Sequence, residues 1–229
     1  MRVLNLYAGI GGNRKLWKDV EVTAIEINPK IAEIYQKHFP QDVVIVADAH
    51  QYLLDHFQEF DFIWSSPPCP SHSKARKFLA WKDGGTRLQN KPVYPDMSLY
   101  QEILLFQHYF NGMWVVENVI AFYDYLLPPF EIGGHWFWSN FIISDKKFES
   151  RCHDEGVEEL QKRKGFDLSN VDCGGIEKKL LLRNCVEPEL GLHIFNCAFR
   201  DKQRTLGSLV TTPSIPPAPK EAGILEGVL

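Results

Sequence analysis

Short apolar runs alternate with amphipathic stretches along the first two thirds of the chain, and this alternation restricts the fold more than any other feature. The runs are Val3-Leu4-Asn5-Leu6-Tyr7, Val22-Thr23-Ala24-Ile25-Glu26, Val43 to Asp48, Phe60 to Trp64 and Trp114 to Glu117. They read as buried strands. Between them, residues 29–39, 49–57 and 97–110 carry helical spacing, and 13–20 reads as a short helix with Leu16 and Trp17 inward. Pro29 stands at a helix start, where a missing N–H does least harm. Residues 136–144 alternate in the manner of a further strand. Strand–helix alternation at this spacing predicts an α/β fold, a doubly wound and mostly parallel sheet with helices on both faces. Such sheets bind ligands at the carboxyl ends of their strands. Here each strand ends in a residue that chemistry can use: a glycine turn, Glu26, Asp48, Cys69 just past the fourth, and Glu117.

The remainder is less regular. Residues 145–203 are charged and broken in pattern, and they read as a small, separate, irregular lobe following a domain of residues 1–144. Residues 204–229 contain Pro213, Pro216, Pro217 and Pro219 and read as an extended tail. No segment reaches the roughly 20 apolar residues of a membrane span. The start, Met1-Arg2-Val3-Leu4, lacks a signal-peptide pattern, so a cytoplasmic monomer is expected. Five cysteines without a Cys-x-x-Cys pair argue against a disulfide framework.

The net charge of −4 does not announce a nucleic-acid binder, but its distribution does more. Between His72 and Lys91 stand Lys74, Arg76, Lys77, Lys82, Arg87 and Lys91 against the single acid Asp83, with Phe78 and Trp81 among them. A basic segment with interleaved aromatics can neutralise phosphates and touch bases. The same composition also suits a solvated surface loop.

Ala8-Gly9-Ile10-Gly11-Gly12 follows a strand, and glycine there lets the backbone approach a ligand closely. Glu26 stands where an acid grips ribose hydroxyls in dinucleotide folds, and Asp48 could face an adenine amino group or cap the next helix. Together they describe a nucleoside site. The chain lacks a Gly-Lys-Ser/Thr phosphate loop, which disfavours ATP. Cys69 sits in Ser66-Pro67-Pro68-Cys69-Pro70, where prolines fix the backbone and hold the thiol in place. A thiolate so held, with the Glu117 carboxyl beside it, suits attack on an electron-poor ring whose nitrogen the acid can grip.

Asn5-Leu6-Tyr7-Ala8-Gly9-Ile10-Gly11-Gly12, Glu26-Ile27-Asn28, Asp48-Ala49, Ser66-Pro67-Pro68-Cys69 and Glu117-Asn118-Val119 occur in the order found in DNA (cytosine-5) methyltransferases, which the chain resembles over roughly residues 1–144. The resemblance implies the Rossmann-like methyltransferase fold, S-adenosyl-L-methionine as cofactor and a flipped-out cytosine of double-stranded DNA as substrate. It implies that Tyr7, Ala8, Gly9, Ile10, Gly11 and Gly12 line the methionine part of the cofactor. Glu26 would take the ribose, Ile27 would pack on adenine, Asp48 and Ala49 would face the adenine edge, and Pro68 and Leu99 would close the site. Cys69 matches the family nucleophile and Glu117 the acid at cytosine N3, with Pro67, Asn118 and Val119 beside the base. Lys74, Arg76, Lys77, Trp81 and Arg87 would belong to a loop that closes over the DNA.

The chain departs from the family in three places. Pro70 stands where glutamine usually follows the cysteine. The arginine-rich motif that contacts the cytosine carbonyl is replaced by His135-Trp136-Phe137-Trp138-Ser139-Asn140. His135 and Asn140 are the candidate substitutes there; a strand with buried tryptophans is the structural alternative. The C-terminal recognition region is reduced, which implies a short target. A zinc site from Cys152, His153, Cys173, Cys185, His193 and Cys197 is not expected, because their spacings match no common finger.

Overall fold

The computed structural model describes residues 1–74, 93–148 and 155–199. Seven strands form one sheet: β1 (Arg2–Leu6), β2 (Glu21–Glu26), β3 (Val43–Val46), β4 (Phe62–Ser65), β5 (Met113–Val119), β6 (Phe130–Ile132) and β7 (His135–Ser139), in the order β3-β2-β1-β4-β5-β7-β6. β1 through β5 pair in parallel, and β7 runs antiparallel to both β5 and β6. The expected doubly wound α/β sheet is therefore present. The strand order reverses between β1 and β4, which makes the carboxyl ends of those two strands the place where a ligand crevice opens.

Helices α1 (Pro29–His38), α2 (Ala49–His56) and α3 (Ser98–Tyr109) match the sequence reading to within a residue or two at each end. Asn28 caps α1 by accepting from Lys30 N and Ile31 N, and Asp48 caps α2 by accepting from Gln51 N. α2 and α3 cover one face of the sheet, burying Leu53, Leu99, Ile103 and Phe106 against Leu4, Leu6, Ile63 and Val116. Among the described residues, no helix is long and apolar enough to cross a membrane.

The opposite face departs from expectation. Residues 13–20 form turns rather than a helix. Their polar side chains point inward to satisfy buried groups. Asn13 Nδ2 donates to Asn5 Oδ1 at 2.7 Å, and Arg14 makes a two-pronged contact with Asp42 at 2.9 and 3.0 Å. A helix would spread these side chains over several directions and lose both contacts. The sheet face thus left bare is covered by a segment from the far end of the chain. Residues 155–199 are helical rather than irregular, as α4 (Val157–Lys164), α5 (Lys178–Asn184) and α6 (Pro188–Ala198). Leu190, Ile194 and Phe195 of α6 share one core with Val3, Phe62, Trp64, Val115 and Phe137, so this part of the chain packs into the sheet rather than standing apart. Trp17 stacks on Phe195 with centroids 4.8 Å apart, and its Nε1 donates to Gly191 O. α4 and α5 close over α1, with Phe166, Leu168 and Leu182 against Ile34, Tyr35 and Phe39.

Candidate active site

The turn after β1 is held by the acid at the end of β2. Glu26 accepts from Gly9 N at 3.0 Å through one oxygen and from Asn28 N at 2.9 Å through the other. Tyr7, Gly9 and Gly11 all have positive φ, at 54°, 55° and 88°. That conformation is open to glycine and strained for tyrosine, so surrounding contacts must hold Tyr7 there. Its hydroxyl donates to Glu102 Oε1 at 2.6 Å. A side chain at Gly11 would meet Phe39 and Tyr35, and one at Gly12 would come within 2.2 Å of Cys185 Sγ. At Gly9 a Cβ meets nothing within 4 Å. Gly9 therefore faces open space, while Gly11 and Gly12 are small because protein packs on them. Ala8 and Ile10 are buried in the core beneath the turn.

Beside the turn, Ile27 is 67% exposed although strongly apolar. Asp48, which is exposed, caps α2 with one oxygen at 2.9 Å from Gln51 N. Ala49 and Leu99 are buried and Pro68 is exposed. An acid, an uncovered isoleucine, a second acid and an open glycine thus stand together at the ends of β1, β2 and β3.

Glu102 was not visible as a site residue in the sequence. It is fully buried on α3 and gathers Tyr7 Oη, Ser65 Oγ at 2.5 Å and His50 Nδ1 at 2.9 Å. Burial and the Glu102 carboxylate hold the Tyr7 phenol well above its ordinary value, so Tyr7 stays a donor. The bond to Glu102 raises His50. One carboxylate therefore links the ends of β1 and β4 with the start of α2. Its sequence signal was an acid among the apolar residues of a helix.

The second half of the site lies beyond β4 and β5. Their parallel register sets Ser65 opposite Val116, which brings the loop 66–69 and residues 117–119 side by side. Asn118 Nδ2 donates to Pro67 O at 2.9 Å, while Asn118 Oδ1 accepts from Val119 N at 2.9 Å. Further along, Phe122 N donates to His72 O at 3.0 Å, Ser73 bridges to Ala121, and His72 Nδ1 meets Tyr123 Oη. These contacts fasten the cysteine loop to the segment after β5. His72 and Tyr123 belong to this fastening, and their spacing of 51 residues left no sequence signal.

Cys69 and Glu117 are thereby brought together. Burial and the neighbouring Glu117 charge both push the Cys69 thiol above its ordinary value, so the resting sulfur carries its proton. Glu117 is 7% exposed. His135 Nε2 stands 3.5 Å from Glu117 Oε1, and His135 Nδ1 donates to Gly133 O at 3.1 Å. Asn140, the other candidate for the base contact, lies elsewhere. Its Oδ1 accepts from Trp114 N and its Nδ2 donates to Gly112 O, at the opposite end of β5. Because β7 runs antiparallel to β5, its first residue meets the site and its last faces away. Lys74 is exposed, and Arg76, Lys77, Trp81 and Arg87 lie outside the described residues. Among the described residues, no group of three metal-ligating side chains forms a metal site.

The model of the family described as C-5 cytosine-specific DNA methylase matches residues 1–91. The human tRNA (cytosine(38)-C(5))-methyltransferase is 30% identical over 155 residues, 58% of this chain and 39% of the human protein. The chain thus spans about two fifths of the length of that curated relative. Among solved structures, a DNMT2 mutant from Spodoptera frugiperda is 26% identical with a TM-score of 0.35, over 52% of this chain and 35% of that one. The plantazolicin methyltransferase BpumL in complex with SAH is 14% identical with a TM-score of 0.32, over 52% of this chain and 39% of that one.

Proposed function

We propose that this chain, a member of the C-5 cytosine methyltransferase family, transfers a methyl group to C5 of cytosine in DNA through a covalent bond between Cys69 and the base. The observation that carries this reading is the convergence of Cys69 and Glu117 from two adjacent strand ends, with Asn118 bonded across the gap to Pro67.

S-adenosyl-L-methionine, the cofactor, supplies an electrophilic methyl group when bound. The residues at the ends of β1 to β3 fit it. Gly9 leaves room for a close approach, Glu26 offers carboxylate lone pairs to ribose hydroxyls, and the uncovered Ile27 suits an adenine face.

Cytosine C5 is a weak nucleophile, and the protein has to raise its electron density. Cys69 Sγ gives its proton to solvent and bonds to C6, while N3 takes a proton through Glu117. The ring becomes a neutral enamine, electron-rich at C5. Once C5 carries the methyl group, loss of the C5 proton to a base re-forms the double bond and expels Cys69. N3 returns its proton to Glu117. Reaching the base requires its removal from the stack, at a few kcal/mol.

A second reading, a tRNA substrate, is favoured by one observation: the human relative is named for cytosine 38 of tRNA. Incubation with labelled cofactor and equal amounts of duplex DNA and tRNA separates the two. Label at cytosine C5 of DNA, lost in Cys69→Ser, supports the first reading. Label confined to tRNA replaces it with the second. A Cys69→Ser protein that still methylates either substrate refutes the covalent mechanism.

A further inference from the structure

Two acids hold the turn after β1, from different elements. Glu26, at the end of β2, accepts from Gly9 N at 3.0 Å. Glu102, on α3, accepts from the Tyr7 hydroxyl at 2.6 Å. Glu26 has a place in the cofactor site, whereas Glu102 is fully buried and does not meet a ligand. Its effect on the site passes through the groups that it holds. Three donors converge on it. Oε1 accepts from Tyr7 Oη and from His50 Nδ1 at 2.9 Å, and Oε2 accepts from Ser65 Oγ at 2.5 Å. Tyr7 directly follows β1, Ser65 ends β4, and His50 is the second residue of α2. β1 and β4 are the strands between which the sheet order reverses, so the acid ties together the element ends around the ligand crevice. A carboxylate suits this place because it only accepts, and its two oxygens can serve three donors. Bonds to it are also stronger than bonds to a neutral amide.

Of the three, Tyr7 depends on the bond most. Its φ of 54° is strained for a residue with a side chain and persists only where the surroundings over-determine it. The ring is half-buried, packed at the edge of the cluster that contains Leu4, Leu6, Ile25 and Leu99. Just beyond it the backbone is pinned, with Ala8 N bonded to Ile25 O and Gly11 N to Ala8 O, both at 3.0 Å. The bond to Glu102 fixes the far end of the ring. Gly9, two residues on, is where a Cβ meets nothing within 4 Å. A ring released from Glu102 lets the strained φ relax, and the relaxation moves the backbone next to that open space.

We propose that Glu102 is a positioning residue for the cofactor: its bond to the Tyr7 hydroxyl holds Tyr7 in the left-handed conformation and so keeps the turn at Gly9 shaped for S-adenosyl-L-methionine. This rests on the cofactor site described under the proposed function, and is independent of which nucleic acid is methylated. Tyr7→Phe removes the bond and leaves the ring. Cofactor affinity then falls, because binding has to restore the turn. Once the cofactor is bound the turn is restored, and the chemical step is unchanged.

The test measures affinity for S-adenosylhomocysteine by calorimetry on wild type, Tyr7→Phe, Glu102→Gln and the double variant. Urea unfolding shows that each is folded at the assay temperature. The rate of covalent trapping on duplex DNA carrying 5-fluorocytosine is measured at saturating S-adenosyl-L-methionine. Tyr7→Phe is expected to bind about tenfold more weakly than wild type. At saturation it is expected to trap within about threefold of wild type. The double variant is expected to bind no more weakly than Glu102→Gln, because both changes remove the same bond. A merely structural bond would lower the urea midpoint and leave the affinity of the folded protein unchanged. An affinity loss below about threefold in Tyr7→Phe therefore overturns the inference. Losses that multiply in the double variant also overturn it. So does a trapping deficit greater than about threefold at saturating cofactor, which places the effect in the chemical step. Should Glu102→Gln fail to fold, the split between affinity and rate in Tyr7→Phe decides alone. A wild-type protein that binds S-adenosylhomocysteine but never traps DNA overturns the proposed function, and the affinity comparison still decides this inference. A wild-type protein that does not bind S-adenosylhomocysteine overturns both.

Discussion

Replacing Asn118 with alanine removes the link between the Cys69 loop and the strand end that carries Glu117. Asn118 is 2% exposed, and its side chain bonds to Pro67 O and Val119 N, both at 2.9 Å. Leaving a buried donor or acceptor without a partner costs about 1–3 kcal/mol, so two such losses predict a stability decrease of about 2–6 kcal/mol. The catalytic consequence is larger in proportion. Pro67 precedes Cys69 by two residues and Asn118 follows Glu117 directly, so a freed Pro67 carbonyl lets the cysteine loop drift from the acid. A misplacement of about 1 Å can cost about 100-fold in rate. Urea unfolding reads the first effect and covalent trapping on 5-fluorocytosine DNA the second. Asn118→Asp sharpens the test, because it keeps an acceptor for Val119 N but sets a second oxygen against the Pro67 carbonyl. It is expected to trap at least as slowly as alanine. An Asn118→Ala protein that traps within about threefold of wild type refutes the reasoning, because so small a change leaves the reacting geometry intact.

Other parts of the structure yield further expectations. Asp42 is 5% exposed, pairs with Arg14 through both oxygens and accepts from Tyr35 Oη at 2.9 Å. Asp42→Ala leaves a buried guanidinium unpaired and should lower stability by about 3–5 kcal/mol by chemical unfolding. Gly12→Ala would bring a Cβ to 2.2 Å from Cys185 Sγ and 2.3 Å from Val186 O, and overpacking there should cost about 1–3 kcal/mol. His50 holds its proton above its ordinary value of 6.5 because Glu102 accepts from it. Its stabilising contribution is full below that value and disappears as pH rises through the folded-state value. The stability gap between wild type and His50→Gln should therefore be widest in mild acid and close on the alkaline side. A gap that widens with rising pH contradicts this.

Much of this architecture is legible in the residues themselves. Strands end where apolar runs meet glycine, acid or proline, and the parallel order follows from the helices between them. The approach of Cys69 to Glu117 is legible too, because Pro67-Pro68-Cys69 and Glu117-Asn118-Val119 each close an apolar run. Residues 13–20 mislead because Asn13 and Arg14 look solvent-facing, while their partners Asn5 and Asp42 lie elsewhere in the sequence. His135 and Asn140 look equivalent in sequence, and only the antiparallel pairing of β7 with β5 sends one to the site and the other away. Two of the three C-terminal helices did leave signals. Val157–Lys164 opens with Glu158 and Glu159 and ends in Lys162, Arg163 and Lys164, matching the helix dipole, and Gly165 closes it at a φ of 69°. Pro188 stands in the first turn of Pro188–Ala198. Charge in the segments before residue 188 broke the pattern of the region, although Leu190, Ile194 and Phe195 keep helical spacing.

The packing of α6 against β1 and β4 also orders events in time. Val3 and Phe62 are fully buried in a cluster that Leu190, Ile194 and Phe195 join, and Trp17 reaches across 174 positions to Gly191. During synthesis the glycine turn and the cysteine loop emerge long before the helix that seals the sheet beneath them. The growing chain therefore cannot complete the cluster around Val3 and Phe62 until residues 190–195 have been synthesised, and the apolar face they cover stays open to water until then.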